Sequence, residues 1–350
     1  MPKFPDLTAL TAPAAADLLA ILDVSDTTQS AGGTTKNIRW DNLAPATLVT
    51  NVRYVSALFT GMGAPYYTTI TLALAAASSG DLIWVYPGTY AESFTLVNGV
   101  NIHCCQGVTI SGNTTYTIRD NAGAVSCSIL GFGVFTNATA NGNALNLSGS
   151  GTIFIRCKSI GFIAAGASQL GGGATITGSG SVTIDCEQIY TDNAGTGARK
   201  ALNVGGTGTT VIYRATIEQT NAQNNNNQAT ITVANTSGTG LTIFDALIRN
   251  YATSSNTTVF SHVSSARVRL VNCRVQNLND ATASHGITVT TTDTLVLEGC
   301  SIITTNASSE SLTASEAMNV KIYSTCVANK AKNGNVTVQV GTLVVDTNVI

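Results

Sequence analysis

The stretch Gly80-Asp-Leu-Ile-Trp-Val-Tyr-Pro-Gly-Thr-Tyr-Ala-Glu92 decides the fold. Ile83 and Val85 lie two residues apart, so their side chains share one face of a strand. Pro87-Gly88 then bends the chain, because proline fixes φ and glycine relieves the corner. Tyr90 begins a second strand that points into the same interior. The stretch therefore predicts one strand, a bend and another strand along one side of a coil.

The same spacing returns down the chain: two inward residues two positions apart, then a third one five positions later. The repeated units are Val100/Ile102/Gly107 (with Val108 beside it), Val125/Cys127/Phe132, Ile153/Ile155/Ile160, Val182/Ile184/Ile189, Thr210/Ile212/Ile217, Leu241/Ile243/Ile248, Val268/Leu270/Val275, Leu295/Leu297/Ile302, Val320/Ile322/Val327 and Val336/Val338/Leu343. A fixed strand–bend–strand core with connections of variable length is typical of a stacked solenoid. Because these segments lack a 3.6-residue period, we expect parallel β-coils rather than helical repeats.

The composition excludes several function classes. Charged residues make up only 10% of the chain, against about 25% in an average globular protein, and neutral polar side chains stack between rungs without like-charge repulsion. The net charge of −2 leaves no basic field for nucleic acid. No apolar run approaches the roughly 18 residues of a membrane span, and no Lys/Arg-led signal segment precedes the repeats. We therefore expect synthesis in a cytoplasm, no nucleic-acid partner and no membrane insertion.

Five of the eight cysteines, Cys127, Cys157, Cys186, Cys273 and Cys300, fall in or near the inward positions of the repeat. Free cysteine behaves as a small buried hydrophobe, so a stacked column of small side chains is the favoured interpretation. Disulfides are the alternative in an oxidising compartment. A metal site needs paired spacings such as Cys-x-x-Cys, which do not occur, so no metal and no cofactor is expected.

Residues 1–45 differ from the rest and form a predicted segment of two strands, Leu19–Val24 and Thr35–Trp40, joined by a polar loop. About forty residues bury little core alone, so this segment needs a partner or copies of itself. It resembles the N-terminal segments of tailed-phage tail fibres, tailspikes and head fibres. The residues that carry the resemblance are Leu7-Thr-Ala-Leu10, Ala14-Ala-Ala-Asp17, Leu22-Asp-Val-Ser-Asp26, Gly33-Thr-Thr-Lys36, Trp40 and Leu43.

This resemblance implies that residues 1–45 attach the protein to a virion. The residues it assigns to attachment are Leu22, Asp23, Val24, Asp26, Lys36, Trp40 and Leu43. The alternative is a plain N-terminal cap of the solenoid.

Residues 46–80 are predicted to be a linker and a short helix with Leu72, Ala75 and Ala76 on one face. A helix here covers the first open rung, since exposed strand edges pair with other chains. The order of helix, Gly80–Glu92 stretch and coils resembles the start of the pectate-lyase-like superfold. The resemblance covers residues 65–345 and implies an all-β fold, a right-handed single-stranded parallel β-helix over residues 81–350. The stretch says little about chemistry.

Polysaccharide cleavage is the activity to look for on this scaffold, and it needs two carboxylates at a groove or a base with a calcium cluster. The register of the repeated units instead places each of four acidic side chains one rung, about 4.8 Å, from a lysine or arginine side chain. The predicted inter-rung ion pairs are Arg156 with Asp185, Lys158 with Glu187, Arg214 with Asp245, and Arg249 with Glu218. Glu298 remains the main unpaired acid of the later coils, and His103, His262 and His285 are expected to face outward. No catalytic residue is assigned.

The leading hypothesis is therefore a structural virion protein of a tailed phage, a tail fibre, tailspike or head fibre. The resemblance implies a homotrimer that binds other virion proteins through residues 1–45 and resides in the virion. Host surface polysaccharide is a further expected partner of the β-helix. A polysaccharide depolymerase on the same scaffold, with acids that meet between protomers, stays open as the alternative. A non-viral surface adhesin is a third option, against which the missing export signal counts. Many tailspikes carry a separate C-terminal domain, and no such domain is expected here.

Overall fold

In the computed structural model, the described parts of the chain are residues 18–23, 34–39, 51–164, 172–193, 200–220, 229–234, 240–251, 257–263, 267–278, 284–290, 295–305, 308–315, 318–340 and 342–345. The chain divides into two compact units, Met1–Thr50 and Asn51–Ile350. In the first unit, β1 (Leu18–Asp23) and β2 (Thr34–Arg39) form an antiparallel pair in which Leu18 lies opposite Arg39. Both strands begin and end one residue earlier than the sequence indicated.

The second unit begins with β3 (Val52–Val55), β4 (Tyr66–Tyr67) and the helix α1 (Ile70–Ala75). The early coils contain β5 (Leu82–Val85), β6 (Gly88–Tyr90), β7 (Phe94–Thr95), β8 (Asn101–Cys104), β9 (Val108–Gly112), β10 (Tyr116–Arg119), β11 (Cys127–Gly131), β12 (Val134–Asn137) and β13 (Asn143–Leu147). The middle coils contain β14 (Thr152–Ala164), β15 (Gly172–Ile176), β16 (Ser181–Asn193), β17 (Lys200–Val204), β18 (Thr209–Tyr213), β19 (Thr216–Gln219), β20 (Ile231–Val233), β21 (Leu241–Phe244) and β22 (Leu247–Asn250). The late coils contain β23 (Thr258–His262), β24 (Val268–Val271), β25 (Arg274–Asn277), β26 (His285–Val289), β27 (Leu295–Glu298), β28 (Ser301–Thr304), β29 (Leu312–Ala314), β30 (Met318–Tyr323), β31 (Cys326–Ala328), β32 (Val336–Val340) and β33 (Leu343–Val345).

These strands stack into an all-β parallel β-helix, as the sequence predicts. Three faces run along it. The first face contains β5, β8, β11, the first halves of β14 and β16, then β18, β21, β24, β27, β30 and β32. The second face contains β6, β9, β12, the second halves of β14 and β16, then β19, β22, β25, β28, β31 and β33. The third face is the nine-stranded sheet of β7, β10, β13, β15, β17, β20, β23, β26 and β29.

The alternation of side chains explains the core. Along each strand of the first face the inward residues are aliphatic, as with Ile184 and Ile212, which are both fully buried and pair on adjacent rungs. The predicted units from Ile153 to Leu295 stack in the register that the structure shows. The unit at Val320 keeps the predicted pairing of Val320 with Leu295. Its third member is shifted by one residue, because Val327 pairs with Ser301. The last unit is shifted by two residues, because Val320 pairs with Val338.

The predicted register is also wrong in the early coils. Ile83 pairs with Ile102 and not with Val100, and Phe132, expected inside, is 59% exposed while Phe135 fills the core. The slip from Val100 to Ile102 is two residues, which leaves the apolar side chains on the same face, so alternation alone cannot detect it. The slip from Phe132 to Phe135 is three residues, because the bend between Ile129 and Phe135 is one residue longer than the predicted unit.

The short helix α1 lies before the first coil and contacts β3, β5 and β7. Its buried side chains are Ile70, Ala73 and Leu74, and Leu72 is 54% exposed. The face that Leu72 shares with Ala75 and Ala76 is therefore the exposed side of the helix. Both sets have helical spacing, but the larger pair Ile70 and Leu74 provides more apolar area to bury than Leu72 with two alanines.

The corner between the second and third faces is lined by buried polar residues. Asn137, Asn250 and Asn277 are all fully buried. The amide of Asn277 donates to the carbonyl oxygens of Thr257 (2.9 Å) and His285 (2.8 Å). Such side chains satisfy backbone groups that the bend takes out of the strand ladder.

Candidate functional site

The two acids of the Gly80–Glu92 stretch have structural partners. The fully buried carboxylate of Asp81 accepts hydrogen bonds from Arg53 Nε (3.0 Å) and Nη2 (2.8 Å) and from the Ser78 amide (2.9 Å). Burial opposes its ionisation, but the bonds from Ser78 and Arg53 outweigh burial and lower the pKa of Asp81. Asp81 therefore ties β5 to β3.

Glu92 caps the helix α1. Its carboxylate accepts from the backbone amides of Ile70 (2.8 Å) and Thr71 (2.9 Å), which have no partner within the helix. Tyr90 donates its hydroxyl to the Tyr86 carbonyl (2.8 Å), and burial raises the pKa of Tyr90 to about 12. The stretch that decides the fold is thus occupied by structural contacts.

A groove lies at the corner between the first and second faces. Its volume is about 590 Å³. At its centre, the carboxylate of Asp185 is 3.0 Å from Arg156 Nε and 3.2 Å from Arg214 Nε. Three successive rungs supply these groups, because Arg156 pairs with Asp185 in the ladder and Tyr213, next to Arg214, pairs with Asp185 on the other side.

The charges in this groove are unequally exposed. The Asp185 side chain is 10% exposed, whereas the Arg156 and Arg214 side chains are 57% and 65% exposed. Burial raises the pKa of Asp185, but the hydrogen bonds from Arg214 and Arg156 outweigh it, so the pKa is lowered. An acid held in its ionised form by two guanidinium groups is a poor proton donor near neutral pH.

The walls of the groove are aromatic and polar. His103, on the wall, stacks on Trp84 with ring centroids 4.2 Å apart, and the exposed side chain of Phe132 also lines the groove. The carboxylate of Glu187 completes the lining. Aromatic surface beside exposed guanidinium groups can hold a ligand with apolar faces and negative charge.

The backbone conformation at this corner differs from rung to rung. Gly107 and Gly131 have positive φ at the corner in the early coils. Arg156 and Asp185 lie in strands that run through it. Arg214 takes a left-handed conformation with φ of 59°, as do residues at the later corners. Arg214 thus follows two rungs without a break in the strand, and its side chain reaches Asp185.

The predicted pair of Arg214 with Asp245 is accordingly wrong. Asp245 is exposed and accepts a hydrogen bond from the Asn272 amide at 3.1 Å. The Asp185 carboxylate is largely removed from water, so a second cation stabilises it more than one would stabilise the hydrated carboxylate of Asp245. Arg214 therefore pairs with Asp185. No ion pair within 4 Å joins Lys158 to Glu187 either; both are exposed, so a pair would contribute about 0–1 kcal/mol.

Glu218 and Arg249 do lie together on the second face, with Arg249 Nε 2.6 Å from the nearly buried Glu218 carboxylate. Glu298, expected to be unpaired, is not: Arg269 Nη2 lies 2.9 Å and 2.8 Å from its two carboxylate oxygens. Counting along one column does not indicate this pair, because Arg269 and Glu298 occupy different columns, two positions apart along the strand.

A second groove, of about 420 Å³, surrounds this pair on the first face. Arg267, Arg269, Glu298 and Tyr323 line it. Tyr323 is 44% exposed, and Arg267 is exposed as well. The same combination of guanidinium groups, a carboxylate and an aromatic ring thus occurs twice on one face.

The histidines lie apart. His103 and His285 are half-buried at the surface, but His262 is fully buried at the end of β23, between Val233 and Val289 of the neighbouring rungs. The expectation that His262 faces outward was wrong, because the strand ends with this position on the inner side. No cluster of three or more metal-ligating side chains occurs in the ranges that the structure describes.

The cysteines of the predicted column are free thiols. Cys157, Cys186, Cys273 and Cys300 are buried, and Cys127 is half-buried. Burial raises the pKa of Cys104 to about 12, and the hydrogen bond with Cys273 raises that of Cys300 to about 12. Cys104 and Cys300 therefore carry little thiolate at neutral pH. The pKa of Cys273 is lowered instead, because its thiolate accepts the hydrogen bond from Cys300.

Of the residues assigned to attachment, Leu22 and Asp23 lie in β1 and Lys36 lies in β2, opposite Ile21. Val24, Asp26, Trp40 and Leu43 lie outside the described residues. Within the described ranges, no helix is long and apolar enough to cross a membrane.

No protein-family model matches the chain, and no curated protein matches it. Among solved structures, the chain is similar to one described as "Crystal structure of pectate lyase Pel9A". The two sequences are 13% identical, the match covers 84% of this chain and 79% of the other, and the TM-score is 0.43.

Proposed function

We propose that this protein is a structural component of a tailed-phage virion, a tail fibre, tailspike or head fibre, whose β-helix contacts host surface glycans. The observation that carries the glycan part is the first-face groove, in which exposed Arg156 and Arg214 flank Asp185 beside aromatic side chains. Guanidinium groups bind carboxylates bidentately, and aromatic faces bind apolar ones. Host surface polysaccharide would meet this groove.

The virion part of the proposal rests on the resemblance of residues 1–45 to fibre attachment segments. The division of the chain into Met1–Thr50 and Asn51–Ile350 supports a segment with its own role. We extend the proposal to a homotrimer, located in the virion, in which residues 1–45 bind other virion proteins. Immunogold labelling of particles that encode the chain should place the label on a projecting appendage. Particles without label would contradict this part.

Glycan contact is tested separately. The wild type and the double variant Arg156→Ala/Arg214→Ala are titrated with a panel of bacterial capsular polysaccharides and lipopolysaccharide O-chains, neutral and acidic. We expect acidic polymers to bind and the double variant to lose that binding. A control variant, Arg274→Ala, removes an exposed arginine of the second face. Equal binding by all three proteins would overturn the assignment of the groove.

A depolymerase is the second candidate, and one observation favours it. Glu187 provides a second carboxylate in the groove beside Asp185, and glycoside hydrolysis uses two carboxylates. New chain ends formed from a bound polysaccharide, and lost in Glu187→Gln, would favour this candidate over a purely binding role.

A further inference from the structure

An exposed apolar surface lies at the start of the second unit, on the outer side of β3 and β5. This aromatic patch consists of Tyr54, Leu58, Phe59, Met62, Tyr66 and Tyr86. Leu58 is 86% exposed and Met62 is 55% exposed, while Tyr66 and Tyr86 are 41% and 38% exposed. Monomeric soluble proteins rarely present large contiguous apolar surfaces to water, so the aromatic patch indicates an interaction site.

Four rings form the base of the aromatic patch. Tyr66 stacks on Tyr54 with ring centroids 5.5 Å apart, and Phe59 meets Tyr66 edge-on at 5.1 Å. The ring of Tyr86 lies 5.8 Å from Phe59 and 6.3 Å from Tyr54, so each ring contacts two others. These separations are those of packed aromatic pairs. The four rings therefore form one continuous surface and not a set of independent side chains.

The loop between β3 and β4 holds Leu58 and Met62 in the solvent. The backbone amide of Phe59 donates to the Ser56 carbonyl oxygen (3.0 Å), and the amide of Met62 donates to the Phe59 carbonyl oxygen (3.2 Å). The Ser56 amide donates to the Tyr67 carbonyl oxygen (3.0 Å), which ties the loop to β4. Because these hydrogen bonds already order the loop, its apolar side chains lose less conformational entropy when a partner binds.

The surface around the aromatic patch carries no charge. Residues 54–80 contain no Asp, Glu, Lys or Arg. The column of outward residues that begins with Tyr54 continues through Trp84, His103 and Leu130 on the next three rungs, and Arg156 follows one rung later. The cores of protein–protein interfaces are enriched in aromatic residues and methionine and depleted of charged residues. This composition favours another protein surface as the partner.

The exposed area of the aromatic patch is substantial for one protomer. At about 200 Å² for a fully exposed large side chain, the exposed fractions of Leu58, Met62, Tyr66 and Tyr86 correspond to roughly 400 Å². A standard interface buries about 800 Å² per partner. The aromatic patch thus provides about half of that area, and the uncharged column that continues from Tyr54 adds to it.

We propose that the aromatic patch is the contact surface between copies of this chain, packed around the threefold axis of the homotrimer. This inference rests on the proposed homotrimer and assigns its interface. If residues 1–45 of all copies attach to one virion site, the β-helices extend from it in the same direction. Rotation about an axis parallel to them then leaves equal residues at equal height, so each aromatic patch meets its counterparts. The exposed Arg156 and Arg214 lie on later rungs, outside this contact.

The test measures the mass of the full-length protein by sedimentation equilibrium, with circular dichroism to verify the fold. The variant Leu58→Glu/Met62→Glu places like charges in the contact and leaves the four rings intact. The control Ile163→Glu/Val263→Glu adds the same charges at side chains of the other faces that are 45% and 41% exposed. We expect trimers for wild type and control, and an apparent dissociation constant at least about 100-fold higher for the variant, because like charges across an interface repel.

Cross-linking provides a readout that does not depend on dissociation. Near a threefold axis, the introduced thiols of Met62→Cys come within reach of a short bismaleimide, so cross-linked dimers should form. Val263→Cys and the wild type, treated in the same way, should give none. A folded glutamate variant that stays trimeric, or Met62→Cys cross-linked no more than Val263→Cys, would overturn the interface and leave the homotrimer standing.

Two further outcomes separate this inference from the proposals on which it rests. A wild type that is monomeric in solution would overturn the interface and the homotrimer together. A glutamate variant that stays trimeric but no longer appears on particles by immunogold labelling would assign the aromatic patch to another virion protein, and so overturn the inference.

Discussion

Replacement of Asp81 tests whether the Gly80–Glu92 stretch is structural. The Asp81 side chain is fully buried and accepts three hydrogen bonds from Arg53 and Ser78. Removal of one partner of a buried ion pair costs about 3–5 kcal/mol. The Arg53 side chain is 14% exposed, so it can regain some hydration. We therefore expect Asp81→Ala to lower the free energy of unfolding by about 3 kcal/mol, at the lower end of that range.

The assay is urea unfolding followed by circular dichroism, with amide hydrogen exchange to locate the effect in β3 and β5. Glu298→Ala is the matched control, since it breaks a half-exposed ion pair worth about 0–1 kcal/mol. Asp81→Asn keeps the size and one acceptor, so its loss should be intermediate. A loss for Asp81→Ala no larger than that for Glu298→Ala would show that the buried contacts of Asp81 do not stabilise the fold more than a surface ion pair does.

The pH dependence has a definite sign. Because the pKa of Asp81 is lowered in the folded protein, its contribution to stability is present above the unfolded value of about 3.9. That contribution is lost as the pH falls below this value through the folded-state pKa. The difference in stability between wild type and Asp81→Asn should therefore shrink below about pH 4. A difference that stays constant from pH 7 to pH 3 would contradict the assigned ionisation.

Three further predictions follow from the surface, the thiols and the N-terminal segment. Arg156→Ala and Arg214→Ala should each weaken binding of acidic polysaccharide by about 10-fold or more, as measured by calorimetry, because each removes one charge-assisted contact. At pH 8, Cys104 and Cys300 should resist iodoacetamide in the native protein, since a pKa of about 12 leaves about one thiolate in 10,000; rapid labelling, located by mass spectrometry, would contradict this. Light scattering should give the mass of a trimer for the full chain. A trimer that persists without residues 1–45 would assign assembly to the β-helix. Monomers in both forms would contradict the proposed homotrimer.

The fold class could be predicted because its signal is repeated. Ile184, Ile212 and their counterparts recur with one spacing on rung after rung, so the middle register follows from the pattern alone. The early register could not be found, since a shift of two residues keeps Ile102 and Val100 on the same side. The strands of the third face do not follow from the sequence pattern, because they are short and the loops between them vary in length.

The site was only partly predictable for a different reason. Residues that share a column, such as Arg156 with Asp185, are found by counting along rungs. Arg214 escapes this count because its left-handed conformation redirects the side chain. Arg269 and Glu298 escape it because long side chains bridge neighbouring columns. The shape of each groove depends on where these arginine side chains point. Sequence spacing therefore identified the acidic residues of the grooves but not the grooves themselves.

The proposed structural role requires that the protein hold acidic glycan without cleaving it. The direct measurement is to incubate the full-length protein with an acidic surface polysaccharide that it binds, and to follow polymer mass and reducing ends over time. We expect a bound polymer of unchanged mass, because Asp185 stays ionised between Arg156 and Arg214. A falling mass with new chain ends, abolished in Glu187→Gln, would contradict it and identify a depolymerase.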